Sequence, residues 1–232
     1  NILDGTTQSF RNLTGSAAST IVFADVGSVA NLQVDPSGNY SFLGRFQQAV
    51  GVTDGTIVKT GTGTLTLAPT AGANSLGEVV VLAGKLVGTT AGYSTADIYV
   101  GTNGNVAFHN PTAGEANLVT FNNVVLGAAA HPDPLISAFG VGTVGKTGAG
   151  IVVLTAAATD LEFNVEAGEL RLTDSRAGLQ DLFTATVASG ATFRVAVAGN
   201  RDIGVINTPG SSQITGGGTL DLRSNVAGTG RT

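Results

Sequence analysis

The sequence predicts an all-β fold, a parallel β-solenoid, because a short phrase recurs, good helix formers are scarce, and apolar residues alternate with polar ones. The phrase is a glycine followed by apolar residues two and four positions later. It occurs at six glycines and, in weaker form, at two more: Gly38, Gly63, Gly104, Gly150, Gly168 and Gly218, then Gly84 and Gly190. Successive copies lie 18 to 28 residues apart, except for one interval of 46. A glycine turn leading into a short strand about every 20 to 25 residues is typical of stacked coils.

The composition favours strands and turns and argues against several classes of function. Glycine accounts for 34 of 232 residues, and charged residues for only 12%. The net charge of −5, with 11 Lys and Arg in all, argues against nucleic-acid binding, which needs a basic surface. Because the chain has no cysteine, disulfides and thiolate metal sites are excluded.

Two features bear on export. No apolar run approaches the ~20 residues of a membrane-spanning helix, so we expect no helical span. The sequence has no methionine, even at position 1. We therefore expect that it begins after a processing step or an artificial boundary, with any signal peptide removed, which favours an exported protein.

A longer repeat contains the phrase. Residues 59–67 align with residues 146–154, which lie 87 positions later, and residues 79–86 align with residues 163–170, which lie 84 positions later. The three missing residues fall in the loop between the strands. Stacked coils vary in this way, with strands kept and loops changed in length.

In such coils the apolar residues of each strand should point into a common core, and their neighbours should point to solvent. We expect six side chains inside and four outside: Leu65, Leu67, Val152, Leu154, Leu170 and Leu172 inside, and Thr66, Glu169, Arg171 and Asp221 outside. The alternative is an antiparallel sandwich, whose turn signals usually come about every 8 to 12 residues. The longer spacing favours the solenoid.

Three stretches interrupt the rhythm. Residues 1–35 predict irregular N-terminal coils, since 8–35 lack a clear glycine register. Residues 109–138, with Asn110-Pro111 and two further prolines, predict a loop that leaves the stack. Residues 177–187 have apolar residues at helical spacing and predict one short helix on the solenoid. No linker or charge run divides the chain, so residues 1–232 are predicted to form a single domain.

One segment carries a family resemblance. Residues 60–67 (TGTGTLTL), 72–77 (GANSLG), 79–82 (VVVL) and 83–86 (AGKL) resemble the autotransporter-associated β-strand repeat, and residues 146–172 keep both ends of that pattern. The resemblance implies a right-handed parallel β-helix, a passenger segment exported by a Gram-negative bacterium and displayed or released at its outer membrane. It brings no catalytic residue with it.

Two lysine motifs resemble catalytic signatures. Residues 140–147 (GVGTVGKT) match the phosphate-binding loop G-x-x-x-x-G-K-[ST], but such a loop must open a helix, and a strand is predicted next, at 151–154. Lys59-Thr60-Gly61 and Lys146-Thr147-Gly148 match the K-T-G element of serine β-lactamase-like enzymes. That chemistry also needs a serine three residues before a lysine, and the chain has none there. We therefore expect no nucleotide binding and no such enzyme.

The remaining candidates are histidines and acids. His109 and His131 could form a metal pair or supply a base, although lone histidines are more often solvated. Residues 160–169 hold four acids (Asp160, Glu162, Glu166 and Glu169), which could act on a glycan or simply keep the surface soluble. The sequence favours solvated groups and predicts no catalytic, cofactor-binding or metal-binding residue.

The sequence therefore predicts a non-enzymatic β-helix scaffold or adhesin segment, located at the bacterial cell surface. Its expected partners are host or sister-cell surface molecules, met through the outward strand faces and the loops at 68–77 and 109–138. Deleting residues 128–136 is expected to leave stability nearly unchanged. The alternatives are a filament subunit that self-associates end to end and a polysaccharide-acting β-helix enzyme.

Overall fold

Parallel strand pairing builds the fold. The structure is a computed structural model that describes residues 2–3, 7–24, 31–52, 55–94, 96–140, 142–156, 158–159, 161–173, 184–197 and 213–224. Its strands stack as a β-solenoid of about 8 turns with 8% helix. The parallel β-solenoid predicted from the sequence is confirmed.

The strands are short except for two. Their bounds are Ile2–Leu3 (β1), Gln8–Phe10 (β2), Thr20–Phe23 (β3), Asn31–Val34 (β4), Asn39–Phe42 (β5), Arg45–Gln48 (β6), Thr56–Lys59 (β7), Thr64–Leu67 (β8), Glu78–Gly88 (β9), Asp97–His109 (β10), Val119–Phe121 (β11), Val125–Gly127 (β12), Thr143–Thr147 (β13), Ile151–Leu154 (β14), Ala158–Thr159 (β15), Glu162–Val165 (β16), Glu169–Leu172 (β17), Thr184–Val187 (β18), Thr192–Val197 (β19), Gln213–Thr215 (β20) and Thr219–Ser224 (β21).

The pairings arrange these strands on three faces. Face 1 comprises β2, β4, β7, the first part of β9, the first part of β10, β12 and β15. Face 2 comprises β5, β8, the second parts of β9 and β10, β13, β16, β18 and β20. Face 3 comprises β1, β3 and β6, and further along β11, β14, β17, β19 and β21. The chain visits the faces in this order, and β9 and β10 each turn a corner within one strand.

Non-strand segments fill face 3 between its two groups of strands. The short helix Thr90–Tyr93 (α1) is capped by the Thr89 side chain, which accepts from Gly92 N–H. Asn74 links it to the earlier strands, because its Oδ1 accepts from Phe46 N–H at 3.0 Å and its Nδ2 donates to Gly92 O at 2.7 Å. The loop at 68–77 is therefore part of a coil, and its Leu76 is buried.

The core is a column of inward side chains. All six residues predicted inside are buried, with exposed fractions of 0 to 1%. Aromatic rings pack at both ends of the column, as in Phe42 with Phe46 at 4.8 Å between centroids and Phe163 with Phe193 at 5.1 Å. Adjacent coils therefore share one continuous apolar interior.

Two expectations from the irregular stretches are wrong in part. Residues 109–138 do not leave the stack as one loop, because β11 and β12 lie within them and pair with β14 and β10. The predicted helix at 177–187 is wrong over Thr184–Val187, which is strand β18; residues 177–183 lie outside the described part. In 8–35, strands β2, β3 and β4 pair within the stack.

The two copies of the long repeat occupy different corners. Residues 59–64 turn from face 1 to face 2, between β7 and β8, whereas residues 147–151 turn from face 2 to face 3, between β13 and β14. The coil beneath the second corner turns at Asn110, whose side chain donates to Ile151 O at 2.9 Å. An asparagine corner thus falls inside the 46-residue interval between glycine phrases.

Candidate functional site

The lysine of the phosphate-loop pattern lies in a strand and points into the core. Residues Thr143–Thr147 form β13 and Ile151–Leu154 form β14, so a strand follows the motif as predicted. The Lys146 side chain is fully buried, with Phe108 and Val165 as its register partners in the coils on either side. Its Nζ donates to three backbone carbonyls: Thr147 O at 2.7 Å, Gly148 O at 2.6 Å and Ala167 O at 3.0 Å. All three ammonium protons are therefore used within the fold.

Lys59 repeats this arrangement at the other corner. Its buried side chain donates to Thr60 O at 2.7 Å, Gly61 O at 2.7 Å and Ala83 O at 2.8 Å. The K-T-G resemblance is thus the sequence of a corner closed by a buried ammonium group. We call each set of three carbonyls a corner cradle: Thr60, Gly61 and Ala83 form the first, and Thr147, Gly148 and Ala167 the second.

The sequence pattern contains a signal for these lysines that the apolar phrase misses. Gly55 is followed by Ile57 and Lys59, and Gly142 is followed by Val144 and Lys146. Both are copies of the glycine phrase in which lysine replaces the second inward apolar residue. Burial lowers the pKa of each lysine to about 8. At neutral pH both side chains remain ammonium ions with three donors for three acceptors.

The two histidines lie in different surroundings. His109 ends β10 on face 2, with its Nδ1 3.0 Å from Thr147 Oγ1, and burial together with the charge of Lys146 lowers its pKa. His131 lies over face 1, edge-on to the Tyr99 ring at 4.5 Å between centroids. Among the described residues, no group of three or more His, Cys, Asp or Glu side chains could hold a metal ion.

Two of the three described acids of residues 160–169 are engaged by cations. Asp160 lies outside the described residues, and Glu162 is exposed. Glu166 Oε1 lies 2.5 Å from Lys85 Nζ. Glu169 Oε1 lies 2.5 Å from Arg171 Nε and 3.0 Å from Arg194 Nη1. The structure thus places Glu166 and Glu169 in separate ion pairs, which makes a paired-carboxylate site less favourable than the sequence alone allowed.

The Arg171 side chain makes more contacts than expected of a residue that points to solvent from a strand. It contacts Glu115 as well as Glu169, and the hydrogen bonds that its guanidinium donates to these two carboxylates raise its pKa. Arg194, its register partner, donates from Nε to Asp221 Oδ2 at 2.8 Å. Outward face 3 therefore carries a chain of ion pairs of alternating sign, which runs Glu115, Arg171, Glu169, Arg194 and Asp221.

A lobe that the sequence did not predict covers part of face 1. We call residues 128–140, which run from β12 towards β13, the face-1 lobe; it contains the 3₁₀ turn Ala128–Ala130 and the helix Pro134–Ser137 (α2). Ala128 packs with the outward Val80 and Leu82 in a second apolar cluster. The partly buried Val58, Tyr99 and Ile136 pack against this cluster. A sequence signal was present, because residues 79–82 (VVVL) form an unbroken apolar run, typical of a strand buried on both sides.

Hydrogen bonds attach the lobe to the stack at Thr102 and at Glu78. Thr102 N–H donates to Phe139 O at 2.7 Å, and within the lobe Ala129 N–H donates to Gly140 O at 3.0 Å. His131 accepts from Asp133 N–H through Nδ1, so its Nε2–H faces Glu78, 3.1 Å from both carboxylate oxygens. These contacts fix the orientation of α2 relative to face 1.

On this fixed lobe two large apolar side chains face solvent. Leu135 is 79% exposed and Phe139 is 43% exposed. Asp97 and Asp133 are exposed nearby in the fold, and Glu78 is half-buried. Burial, Glu78 and Asp97 together raise the pKa of Tyr99, on whose ring His131 packs. The lobe therefore presents apolar side chains to solvent and has carboxylates where it joins face 1.

The described residues contain no helix long and apolar enough to cross a membrane. Scans of protein-family models, of curated proteins and of solved structures gave no significant match. The β-solenoid is a fold compatible with a β-helix passenger, and no family match assigns the chain to that class.

Proposed function

We propose that this chain is a non-enzymatic scaffold of a bacterial cell surface, a passenger segment of the autotransporter type, that attaches to surface molecules of host or sister cells. The observation that carries the proposal is the face-1 lobe, which presents Leu135 at 79% exposure on a helix tied to a rigid stack. Exposed apolar side chains held in place by a scaffold are typical of recognition surfaces.

The character of the stack supports a scaffold role. Its coils add length without adding a new core, which is how solenoids produce extended display surfaces. The corner lysines and the acids Glu166 and Glu169 are engaged in contacts within the fold. Groups held in this way favour structure over chemistry. Charged residues make up only 12% of the chain, and it has no cysteine that could crosslink during export.

The test is attachment of cells that display the chain. A non-adherent Gram-negative strain would carry the wild type, the double variant Leu135→Ser/Phe139→Ser, or the matched control Val50→Ser/Leu118→Ser. The control residues are also exposed, at 100% and 41%, but lie outside the lobe. We expect the lobe variant to reduce attachment to host cells or to sister cells about tenfold, equivalent to ~1.4 kcal/mol.

Two results would contradict the proposal. One is equal attachment by the lobe variant and the control at equal surface amounts. The other is a wild type that attaches to neither kind of cell. Measuring particle size in dilute solution adds a third reading, because a mass that grows steadily with concentration would favour the end-to-end filament instead.

A further inference from the structure

The corner cradles have the same geometry at two different corners of the stack. In each, three backbone carbonyl oxygens converge on one point, 2.7 to 2.8 Å from Lys59 Nζ in the first cradle and 2.6 to 3.0 Å from Lys146 Nζ in the second. Two of the carbonyls come from the turn after the lysine, and the third from the corner of the next coil. The third acceptor lies 24 residues after Lys59 but 21 residues after Lys146, which matches the three residues missing from the second copy of the repeat. The arrangement is therefore part of the repeat.

The backbone itself supports these carbonyls. The residue after the third acceptor is a glycine with positive φ, Gly84 at 66° and Gly168 at 68°. A Cβ atom at Gly84 would lie 2.4 Å from Gly61 O, and one at Gly168 would lie 2.3 Å from Gly150 O. Because these glycines have no Cβ atom, the stacked turns can approach closely, and this close packing holds their carbonyls in place. The cradle geometry therefore does not depend on the lysine alone.

The chemistry of the cradle suits a cation. Neither lysine makes a direct ion pair in the described residues, so the groups that touch each ammonium are carbonyl dipoles, while the Asp35 carboxylate favours the charged form of Lys59 from further away. Backbone carbonyls can replace the hydration shell of a monovalent cation, as in potassium channels. Three oxygens without a carboxylate would hold a divalent cation poorly, since Ca²⁺ and Mg²⁺ favour more ligands and negative charge. The ligand class is thus a monovalent cation of the size of ammonium or potassium.

We propose that each corner cradle is a monovalent-cation site that is filled by the ammonium group of the chain's own lysine. Removing the lysine leaves three converging carbonyls without a donor in the interior, and an ammonium or potassium ion can take the vacated place. Variants without the lysine then depend on such an ion for stability, whereas the wild type does not.

The experiment is rescue of thermal stability by small cations. Lys146→Ala opens space for an ion, and its unfolding temperature would be measured in ammonium, potassium and tetramethylammonium chloride at equal ionic strength. We expect ammonium and potassium to restore about half or more of the lost unfolding temperature with a saturable dose response, as for any ligand that binds only the native state. Tetramethylammonium is too large and cannot donate, so it should restore nothing beyond the general effect of salt.

Three controls keep the test decisive. Wild type should show no difference among the three salts. Lys85→Ala removes a surface lysine on face 2 that makes no cradle, and it too should show none. Lys146→Met fills the site with methylenes and should be insensitive to ammonium. If Lys146→Ala does not fold in tetramethylammonium chloride, folding is scored in ammonium chloride, where recovery supports the proposal and continued failure overturns it. Equal stability of Lys146→Ala in all salts also overturns it.

Discussion

Lys85 and Glu166 are joined side chain to side chain on face 2, with 2.5 Å between Nζ and Oε1, although they are 81 positions apart. Lys85 lies in β9 and Glu166 follows β16, so β10 and β13 run between them. The outward residues there are Ala107 and Gly145, register partners that are both buried. Because these residues have little or no side chain, the lysine and glutamate can extend across them and connect four consecutive strands.

This bridge should nonetheless contribute little to stability. The side chains of Lys85 and Glu166 are 25% and 39% exposed, and ion pairs of this kind usually contribute about 0 to 1 kcal/mol. We expect Lys85→Ala to lower the free energy of unfolding by less than about 1 kcal/mol, measured by urea titration, and the loss to shrink in high salt. A salt-independent loss well above this range would show that the bridge closes a buried contact.

Two neighbouring residues of β17, Leu170 and Arg171, should differ sharply in their contribution to the free energy of unfolding. Leu170 is fully buried, so Leu170→Ala should cost about 2 to 5 kcal/mol of unfolding free energy. The sequence alone predicts almost no cost for Arg171→Ala, but its contacts with Glu115 and Glu169 raise the expected loss to about 1 kcal/mol. Urea titration of both variants checks the order. Equal losses would mean that the strand register is different.

Deleting residues 128–136 should destabilise the protein, contrary to the expectation from the sequence. The deletion removes Ala128 and Ile136 from the apolar cluster on face 1 and leaves Val80 and Leu82 open to water. Exposing one such side chain costs about 1.5 to 3 kcal/mol, so a lower unfolding temperature is expected. Leu135→Ser, at an already exposed position, is the matched comparison and should leave the unfolding temperature unchanged. An unaltered temperature for the deletion would show that the lobe does not cover face 1 in solution.

The corner lysines predict a pH dependence of stability at alkaline pH. Their pKa is lowered from 10.5 to about 8 by burial, so between these values the unfolded state binds more protons than the native state. The free energy of unfolding should therefore contain a contribution that is constant below pH 8 and rises between about pH 8 and 10.5. Comparing wild type with Lys59→Met/Lys146→Met across this range isolates the contribution. A difference between the two proteins that does not change with pH would contradict it.

Local patterns made much of the fold predictable. Alternation within a strand decides which side chains point inward, and a glycine before the strand marks the corner, so Leu65 and Leu170 could be placed in the core from their immediate neighbours. The same kind of evidence failed at Thr184–Val187, the described end of the helix predicted at 177–187. Spacing there resembles a helix, yet Ala185 and Val187 alternate inward in β18 and pair with Phe163 and Val165 of β16.

Features that depend on distant contacts could not be predicted in the same way. Residues 59–67 and 146–154 look alike locally, but their faces are decided by which strands lie beneath them. The structural role of the buried lysines is not visible in the motif that they match, because one acceptor of each lysine is a carbonyl 21 or 24 residues away. The sequence predicts a loop that leaves the stack where the face-1 lobe lies, because the partners of the lobe, Val80 and Tyr99, lie far back in the sequence.

The use of one repeat at two corners bears on how such a chain can change its length. Recombination between the copies at Lys59 and Lys146 would remove 87 residues and join β7 directly to the turn before β14. Every later strand would then move to the neighbouring face, a shift of a third of a coil, while its inward and outward residues kept their alternation. The segment that can be deleted or duplicated in this architecture is therefore bounded by corners and need not be a whole number of coils.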